Sequence, residues 1–418
     1  MRHVILGAGP AGVIAAETIR KHRARDEIVI VGDEPEAPYS RMAIPYLLIG
    51  NIAEPGTHLR HEPGHFEKLR IELKRGRARK VDTTGKRVEL EDGSTLPFDT
   101  LLVATGSSPM RPPIPGIDQP GVRACWTLDD ARAIMKLAAP GARVLQMGAG
   151  FIGCIIMEAL AARGVKLSVV EMGDRMVPRM MGATAGGMIK AWCEAKGVAV
   201  YTGTRVNAIE PGAPMKVKLS DGSSIEADLV ISATGVKPNI GFLENSGITC
   251  LLGVLTDEHM QTNVPGIYAA GDCAEAFDLA SQTTIVSAIQ PNAADQALVA
   301  GMNMAGVKAR LKGVTQINVL DTLGLISTSF GDWHGVPGGD HVELTDLAAG
   351  RHLSLQFSGD VMVGCNSVGW TQHVGVMRGL VEGQVKLGPW KDKLLEDPTK
   401  LMEAYLARAQ AQDTRALA

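Results

Sequence analysis

The chain carries the pattern G-x-G-x-x-G twice, each time between an apolar run and a helix-forming run. In the first copy Val4-Ile5-Leu6 reads as a buried parallel strand, Gly7, Gly9 and Gly12 follow, and Val13 to Lys21 reads as a helix. Such a turn uses its first glycine for the tight bend, its second for close approach to a pyrophosphate, and its third to pack helix on strand. Free N–H groups and the dipole at the helix N-terminus favour the anion. The next strand, Glu27 to Val31, ends in Gly32-Asp33-Glu34, so Asp33 or Glu34 can accept hydrogen bonds from a ribose. In the second copy Val144-Leu145-Gln146-Met147 leads into Gly148, Gly150 and Gly153. A helix to about Arg163, an apolar strand from Leu167 to Val170, and Glu171 come after it. Two dinucleotide folds in one chain are explained most economically by one flavin and one nicotinamide nucleotide.

The repetition extends past the glycines. Lys86 to Glu91, Asp92-Gly93-Ser94 and Thr95 to Phe98 read as strand, turn, strand, and Leu101 to Ala104 runs into Thr105-Gly106 and the proline-rich Pro109 to Pro115. Lys216 to Leu219, Asp221-Gly222 and Ser223 to Glu226 repeat the hairpin, and Leu229 to Ala233 runs into Thr234-Gly235 and Pro238. An ordered recurrence of this length is a duplicated domain plan. Pro38 to Tyr46 is a proline-bounded loop entering a short helix. Residues 66 to 80 hold Lys68, Arg70, Lys74, Arg75, Arg77, Arg79 and Lys80, which read as a solvated face, with a docking patch for an acidic partner as the alternative. Gly266 to Asp272 reads as a strand ending in an acid, and Gln290 to Ala305 as a long helix. From Asn318 the texture changes to short alternating strands such as Arg351 to Phe357 and Val361 to Cys365, with a last helix from Pro398 to Gln410.

Composition narrows the function classes. At 418 residues, 45% hydrophobic and 21% charged, the chain suits two or three globular cores. A net charge of −3 argues against a general nucleic-acid binder. Six scattered cysteines without C-x-x-C suggest neither a disulfide framework nor a zinc site, and ten histidines show no ligand spacing, so no metal is expected. Pro10 and the glycines break the apolar run after Arg2-His3, which is better used as a first strand than as a signal peptide. No apolar segment reaches spanning length. The expectation is a soluble cytoplasmic protein with reduced thiols.

Five ordered motifs together resemble the FAD-dependent pyridine nucleotide oxidoreductases with two dinucleotide-binding domains. They are Gly7-Gly9-Gly12, Ala104-Thr105-Gly106, Gly148-Gly150-Gly153, Ala233-Thr234-Gly235 and Gly271-Asp272. Within that family the chain is most similar to the ferredoxin/rubredoxin reductase, NADH oxidase and nitrite-reductase flavoprotein branch, clearly over about 1 to 315. The resemblance implies an α/β fold of two Rossmann-like, glutathione-reductase-type domains plus a C-terminal α+β interface domain. Its boundaries would be 1–116 with 244–317 for FAD, 117–243 for NAD(H), and 318–418 for the interface domain of a homodimer. It assigns Gly7, Gly9, Gly12, Asp33 or Glu34, Arg41, Thr105, Gly106, Gly271, Asp272 and Gln290 to FAD, with Pro291 and Asn292 near the flavin ring. Gly148, Gly150, Phe151, Ile152, Gly153, Glu171 and Gly235 fall to the nicotinamide nucleotide. Glu171 at the strand end suits a ribose diol and repels a 2′-phosphate, so NADH is expected over NADPH despite Arg175 nearby.

Departures from the family pattern carry as much information. Where disulfide-active members read Cys-Gly-Leu-Pro-Tyr, this chain reads Met42-Ala43-Ile44-Pro45-Tyr46, and a thioether forms neither thiolate nor disulfide. The lysine that follows Pro-Tyr-x-Arg in ferredoxin reductases falls on Tyr46, and the glutamate that pairs with it falls on Ile155. Losing both avoids leaving one buried charge without its partner, which would cost ~3–5 kcal/mol. Cys154 and Cys273 read as packing residues, and Trp333, Trp370 and Trp390 as core or interface residues, one of which could instead cover the flavin. The expected activity is hydride transfer from NADH to FAD and onward to a small ferredoxin or rubredoxin-type carrier. The alternatives are an oxidase or quinone reductase, and a flavin-bound NADH-sensing scaffold.

Overall fold

The computed structural model describes residues 1–416. The chain divides into two compact units, one joining Met1–Ser108 to Val236–Val314 and the other joining Pro109–Gly235 to the segment from Thr315 onward.

The first unit is built on a five-stranded sheet in the order Ile267–Ala269, Thr100–Val103, Arg2–Leu6, Glu27–Gly32, Ile71–Arg75. All four pairings are parallel. Its inner strands are continuous apolar runs because both faces are covered. Helices Pro10–His22 and Gln290–Met304 pack together, and a Cβ on Gly301 would stand 2.9 Å from the Ala15 carbonyl oxygen, so the close crossing needs a glycine. The first helix starts at Pro10 rather than Val13, since proline has no N–H to lose at a first helical position. An antiparallel hairpin sheet, Ala78–Asp82, Arg87–Leu90 and Thr95–Pro97, hangs below.

The second unit repeats the plan. Its parallel sheet runs Ala199–Tyr201, Lys166–Val170, Arg143–Met147, Leu229–Ser232, Val122–Arg123. The antiparallel sheet Val206–Glu210, Met215–Leu219, Ser224–Ala227 matches its counterpart. Both hairpins turn alike: Asp92 Oδ1 accepts from Ser94 N and Asp221 Oδ1 from Ser223 N, with Gly93 at φ +83° and Gly222 at φ +86°.

The remainder of this unit is an antiparallel sheet in the order Ile317–Thr322, Leu325–Gly331, Val361–Val368, Arg351–Ser358, Asp340–Asp346. One face carries Phe330, Leu353, Leu355, Phe357 and Cys365 into a core with Leu380, Leu394 and Leu401 of the last helices. The opposite face is polar yet buried, with Ser327, Ser329, Ser354 and Asn366 nearly inaccessible. That side meets helices Phe151–Ala162 and Ala183–Ala195. The last helix begins at Leu401 rather than Pro398, because Asp397 accepts from the Thr399 N–H and hydroxyl and holds that stretch in a turn.

The basic run is a solvated edge in which three of the cations have acidic neighbours. Its strand Ile71–Arg75 is a sheet edge, where charge discourages stray pairing. Lys68 pairs with Glu62, Arg77 lies within ion-pair distance of Asp33 and Glu91, and Arg79 pairs with Glu89.

Candidate nucleotide sites

Each glycine-rich turn stands at the C-terminal end of the central strand of its sheet, where the strand order reverses. In the first unit Gly7 sits at φ +121°, and a Cβ there would lie 1.9 Å from the Ala104 carbonyl oxygen. A Cβ on Gly12 would lie 1.9 Å from the Gly7 carbonyl oxygen. Gly9, the N-cap of the helix, has open space at its Cβ position. The second unit reproduces the arrangement: Gly148 is at φ +95° with its Cβ position 2.3 Å from Ala233 O, Gly153 is 2.5 Å from Gly148 O, and Gly150 faces open space. Neither N-cap has a side-chain hydrogen bond and neither first turn carries an acid. Outer glycines therefore serve packing, and the middle glycine leaves a cradle with unpaired donors that fits a pyrophosphate.

Around the first turn the two candidate acids separate. Glu34 is held by Tyr39 Oη at 2.6 Å and Arg41 Nη2 at 2.6 Å, whereas Asp33 is exposed beside Arg77. Ser40 Oγ donates to Gln290 Oε1 at 2.7 Å, bringing the Pro38–Arg41 loop to the start of the long helix that also holds Pro291 and buried Asn292. Thr105 Oγ1 donates to Asn239 O at 2.7 Å, and Asn239 Nδ2 returns to Thr105 O at 3.0 Å. Asp272 follows Gly271, which is at φ +80°, and accepts from Ser107 Oγ at 2.8 Å. Burial pushes the Asp272 carboxyl above its ordinary range, against the pull of Ser107 and Arg41.

Sequence reasoning missed Ser107, Tyr39, Asn239 and Gln296. Gln296 Oε1 accepts from Gly271 N at 2.7 Å, and its buried Nε2 has no hydrogen-bond partner among the described residues. An orphan donor beside Asp272 fits a site that takes a polar group. Gln296 was detectable only as a polar residue on the buried side of its helix.

In the second unit Glu171 follows strand Lys166–Val170. Its Oε2 accepts from Ala149 N at 2.7 Å and its Oε1 from Gly173 N at 2.7 Å. Arg175 donates to Met181 O at 2.8 Å and pairs with Asp174, so its guanidinium is engaged away from Glu171. Phe151, Ile152 and Ile155 are partly exposed on the first turns of the following helix. Gly235, at φ +107°, accepts from Met110 N at 2.8 Å.

Met42 and Tyr46 are 49% and 56% exposed, on the turn Arg41–Ala43 and the short helix Ile44–Leu48. Cys125, Cys154, Cys193, Cys273 and Cys365 are buried and Cys250 is partly so. Burial pushes the Cys125, Cys193 and Cys365 thiols up to about 12. Cys273 is likewise raised, so it is an unreactive packing residue beside Asp272. Trp333 is 9% exposed and stacks on His334, while Trp390 packs at the C-terminal core. No helix among the described residues is long and apolar enough to cross a membrane.

A paired set of glycine turns with this geometry has known counterparts. The family model described as pyridine nucleotide-disulphide oxidoreductase matches residues 1–297. The epsilon subunit of NADH-dependent phenylglyoxylate dehydrogenase from Aromatoleum evansii is 33% identical over 95% of each chain. The NADH oxidase of Methanocaldococcus jannaschii is 33% identical over 79% of this chain and 77% of its own. A NAD-dependent persulfide reductase from A. fulgidus superposes with a TM-score of 0.86 at 26% identity, covering 93% of this chain and 78% of its own. With most of its length matched in this way, the chain belongs to the pyridine nucleotide-disulphide oxidoreductase family, in the ferredoxin/rubredoxin reductase and NADH oxidase branch, as an FAD-dependent NAD(P)H oxidoreductase.

Proposed function

We propose that the protein exchanges electrons between NADH and an iron–sulfur partner protein through FAD, without a protein thiol. The observation that carries this is Met42, a half-exposed thioether at the position where disulfide-active members have their sulfur nucleophile. The buried, raised thiols elsewhere support the same reading. So does the relative matched end to end, which is a subunit of an NADH-dependent dehydrogenase.

In this reading FAD takes the first unit and NADH the glycine turn at 148–153. Bound FAD supplies the redox chemistry, accepting hydride from NADH and releasing electrons to the partner. The chain orients and encloses. The helix start at Gly9 meets the FAD pyrophosphate, Glu34 the adenine ribose, and Asp272 the ribityl chain, with Arg41, Thr105, Gly106 and Gln290 completing the site. Gly150 faces the NADH pyrophosphate, Phe151 the nicotinamide, and Glu171 the ribose diol, where its charge repels the 2′-phosphate of NADPH. Tyr46 and Ile155 stand, by resemblance, at the sequence positions where ferredoxin reductases carry a lysine and a glutamate, and neither of them brings a charge. The domain boundaries at 116, 243 and 317, a homodimer and a cytoplasmic location belong to this reading and rest on the family resemblance.

An anaerobic titration with NADH and, in parallel, NADPH tests it by following the visible flavin band. Rapid bleaching by NADH, with NADPH at least about ten-fold less effective, is expected, since one lost charge-assisted contact is worth ~1.5 kcal/mol. A flavin that NADH fails to bleach would sink the reductase reading and favour a nucleotide-binding scaffold. Oxygen consumption as fast as carrier reduction would favour the oxidase reading.

A further inference from the structure

The loop between Glu171 and helix Ala183–Ala195 contains Val177 at φ +49°, a left-handed conformation that a β-branched side chain rarely adopts. Val177 is 1% exposed, and its N–H donates to Ala149 O at 2.9 Å, inside the second glycine turn. Ala149 is also the residue whose N–H holds Glu171 Oε2. The loop's conformation and the aim of the ribose-binding carboxylate are thus tied to one residue, through the two peptide groups that flank the Ala149 Cα.

What holds the strained loop comes from far along the chain. Asn366, on strand Val361–Val368 and 2% exposed, donates from Nδ2 to Met180 O at 2.9 Å and accepts at Oδ1 from Gly182 N at 2.8 Å. Met180 N and Met181 N in turn donate to Val177 O at 3.0 Å. Gly182 is the N-cap of its helix, and Asn366 Oδ1 accepts its backbone N–H from another element, the part that an N3 side chain plays in a capping box.

We infer that Asn366 is a positioning residue for the nicotinamide nucleotide, clamping the 177–182 loop so that Ala149 and Glu171 present a preformed ribose and pyrophosphate site. The inference rests on the proposed assignment of NADH to the 148–171 region. It gives the antiparallel C-terminal sheet a part in nucleotide affinity and in the choice between NADH and NADPH. Without the clamp, Val177 relaxes toward negative φ, its bond to Ala149 is lost, and binding must first reorder the loop.

The test compares wild type, Asn366→Ala and Leu355→Ala as FAD-loaded proteins. The last variant weakens the opposite, apolar face of the same sheet. NAD+ affinity is read by fluorescence titration, and NADH and NADPH kinetics by anaerobic flavin reduction. Asn366→Ala is expected to weaken NAD+ binding about ten-fold and to narrow the NADH/NADPH preference, with FAD content and the reduction rate at saturating NADH kept within about two-fold. Leu355→Ala is expected to lower Tm and leave NAD+ affinity unchanged. Asn366→Ala binding NAD+ as wild type does overturns the inference alone, and so does Leu355→Ala weakening it equally. A wild type that binds no NAD+ overturns the functional reading together with it. Should Asn366→Ala fail to fold, Asn366→Asp decides: it keeps the acceptor for Gly182 N and loses the donor to Met180 O. Weakening of about three-fold or more supports the clamp, and unchanged affinity overturns it.

Discussion

Gly150 and Gly153 are three residues apart in one turn and answer to different physics. A methyl on Gly153 would stand 2.5 Å from a backbone carbonyl that has nowhere to go, whereas on Gly150 it would enter open space. Gly153→Ala is therefore expected to lower the folded yield or cut stability by ~3 kcal/mol. Gly150→Ala is expected to fold with Tm near wild type and to bind NAD+ at least about ten-fold more weakly, since the methyl occupies the pyrophosphate cradle. Thermal denaturation and nucleotide titration of the two variants side by side separate these outcomes, and equal behaviour would refute the division. Asp272 offers a second contrast. Its folded-state carboxyl is raised by burial, so the native state holds the proton more tightly than the unfolded chain does. Stability without FAD should then fall as pH rises through the folded value, and the cost disappears below the unfolded value near ~3.9. Asp272→Asn removes that ionisation: flavin-free Tm at neutral pH should rise, while retained FAD should drop. A Tm at neutral pH lower than wild type would show that the charge is stabilised after all.

Elements whose instructions are local were legible. Both G-x-G-x-x-G turns, the Asp-Gly hairpins and the inner strands lie within a residue or two of their expected places, because glycine conformation, Asx turns and continuous apolar runs act over short spans. The errors at Pro10 and Pro398 were errors of end-capping, where one hydrogen-bonding side chain or one missing N–H shifts a boundary. What could not be read was any partner set by the fold. Ser107 reaches Asp272 across 165 residues, and Asn366 reaches Gly182 across 184. A serine or asparagine in a strand looks like a surface choice until the sheet it joins is covered. The basic run is the solvated face it reads as, but a one-dimensional count of cations cannot see Glu62, Glu89 and Glu91 standing beside Lys68, Arg79 and Arg77.

For the molecule as a whole that neutralisation bears on how a redox partner is recruited. A net charge of −3 provides no general attraction for an acidic iron–sulfur protein, so steering would require a local excess of cations. Stretch 66–80 was the sequence's best candidate, and two of its arginines, Arg77 and Arg79, stand within ion-pair range of Asp33, Glu89 and Glu91. Arg75 and Lys80 remain exposed there, but surface cations amid neighbouring acids contribute little beyond ~1 kcal/mol. Docking led by this face would make the rate of ferredoxin reduction fall steeply with salt, because exposed charges are screened over about 8–10 Å at physiological strength. The expected outcome is the opposite. With an acidic [2Fe–2S] ferredoxin as acceptor, the double substitution of Arg75 and Lys80 by alanine should change kcat/KM by less than about two-fold at low salt. Raising salt from about 50 to about 300 mM should affect wild type and variant equally. A fall of about ten-fold in the variant, largest at low salt, would return residues 66–80 to the role of a docking surface and show that a few exposed cations outweigh their acidic neighbours.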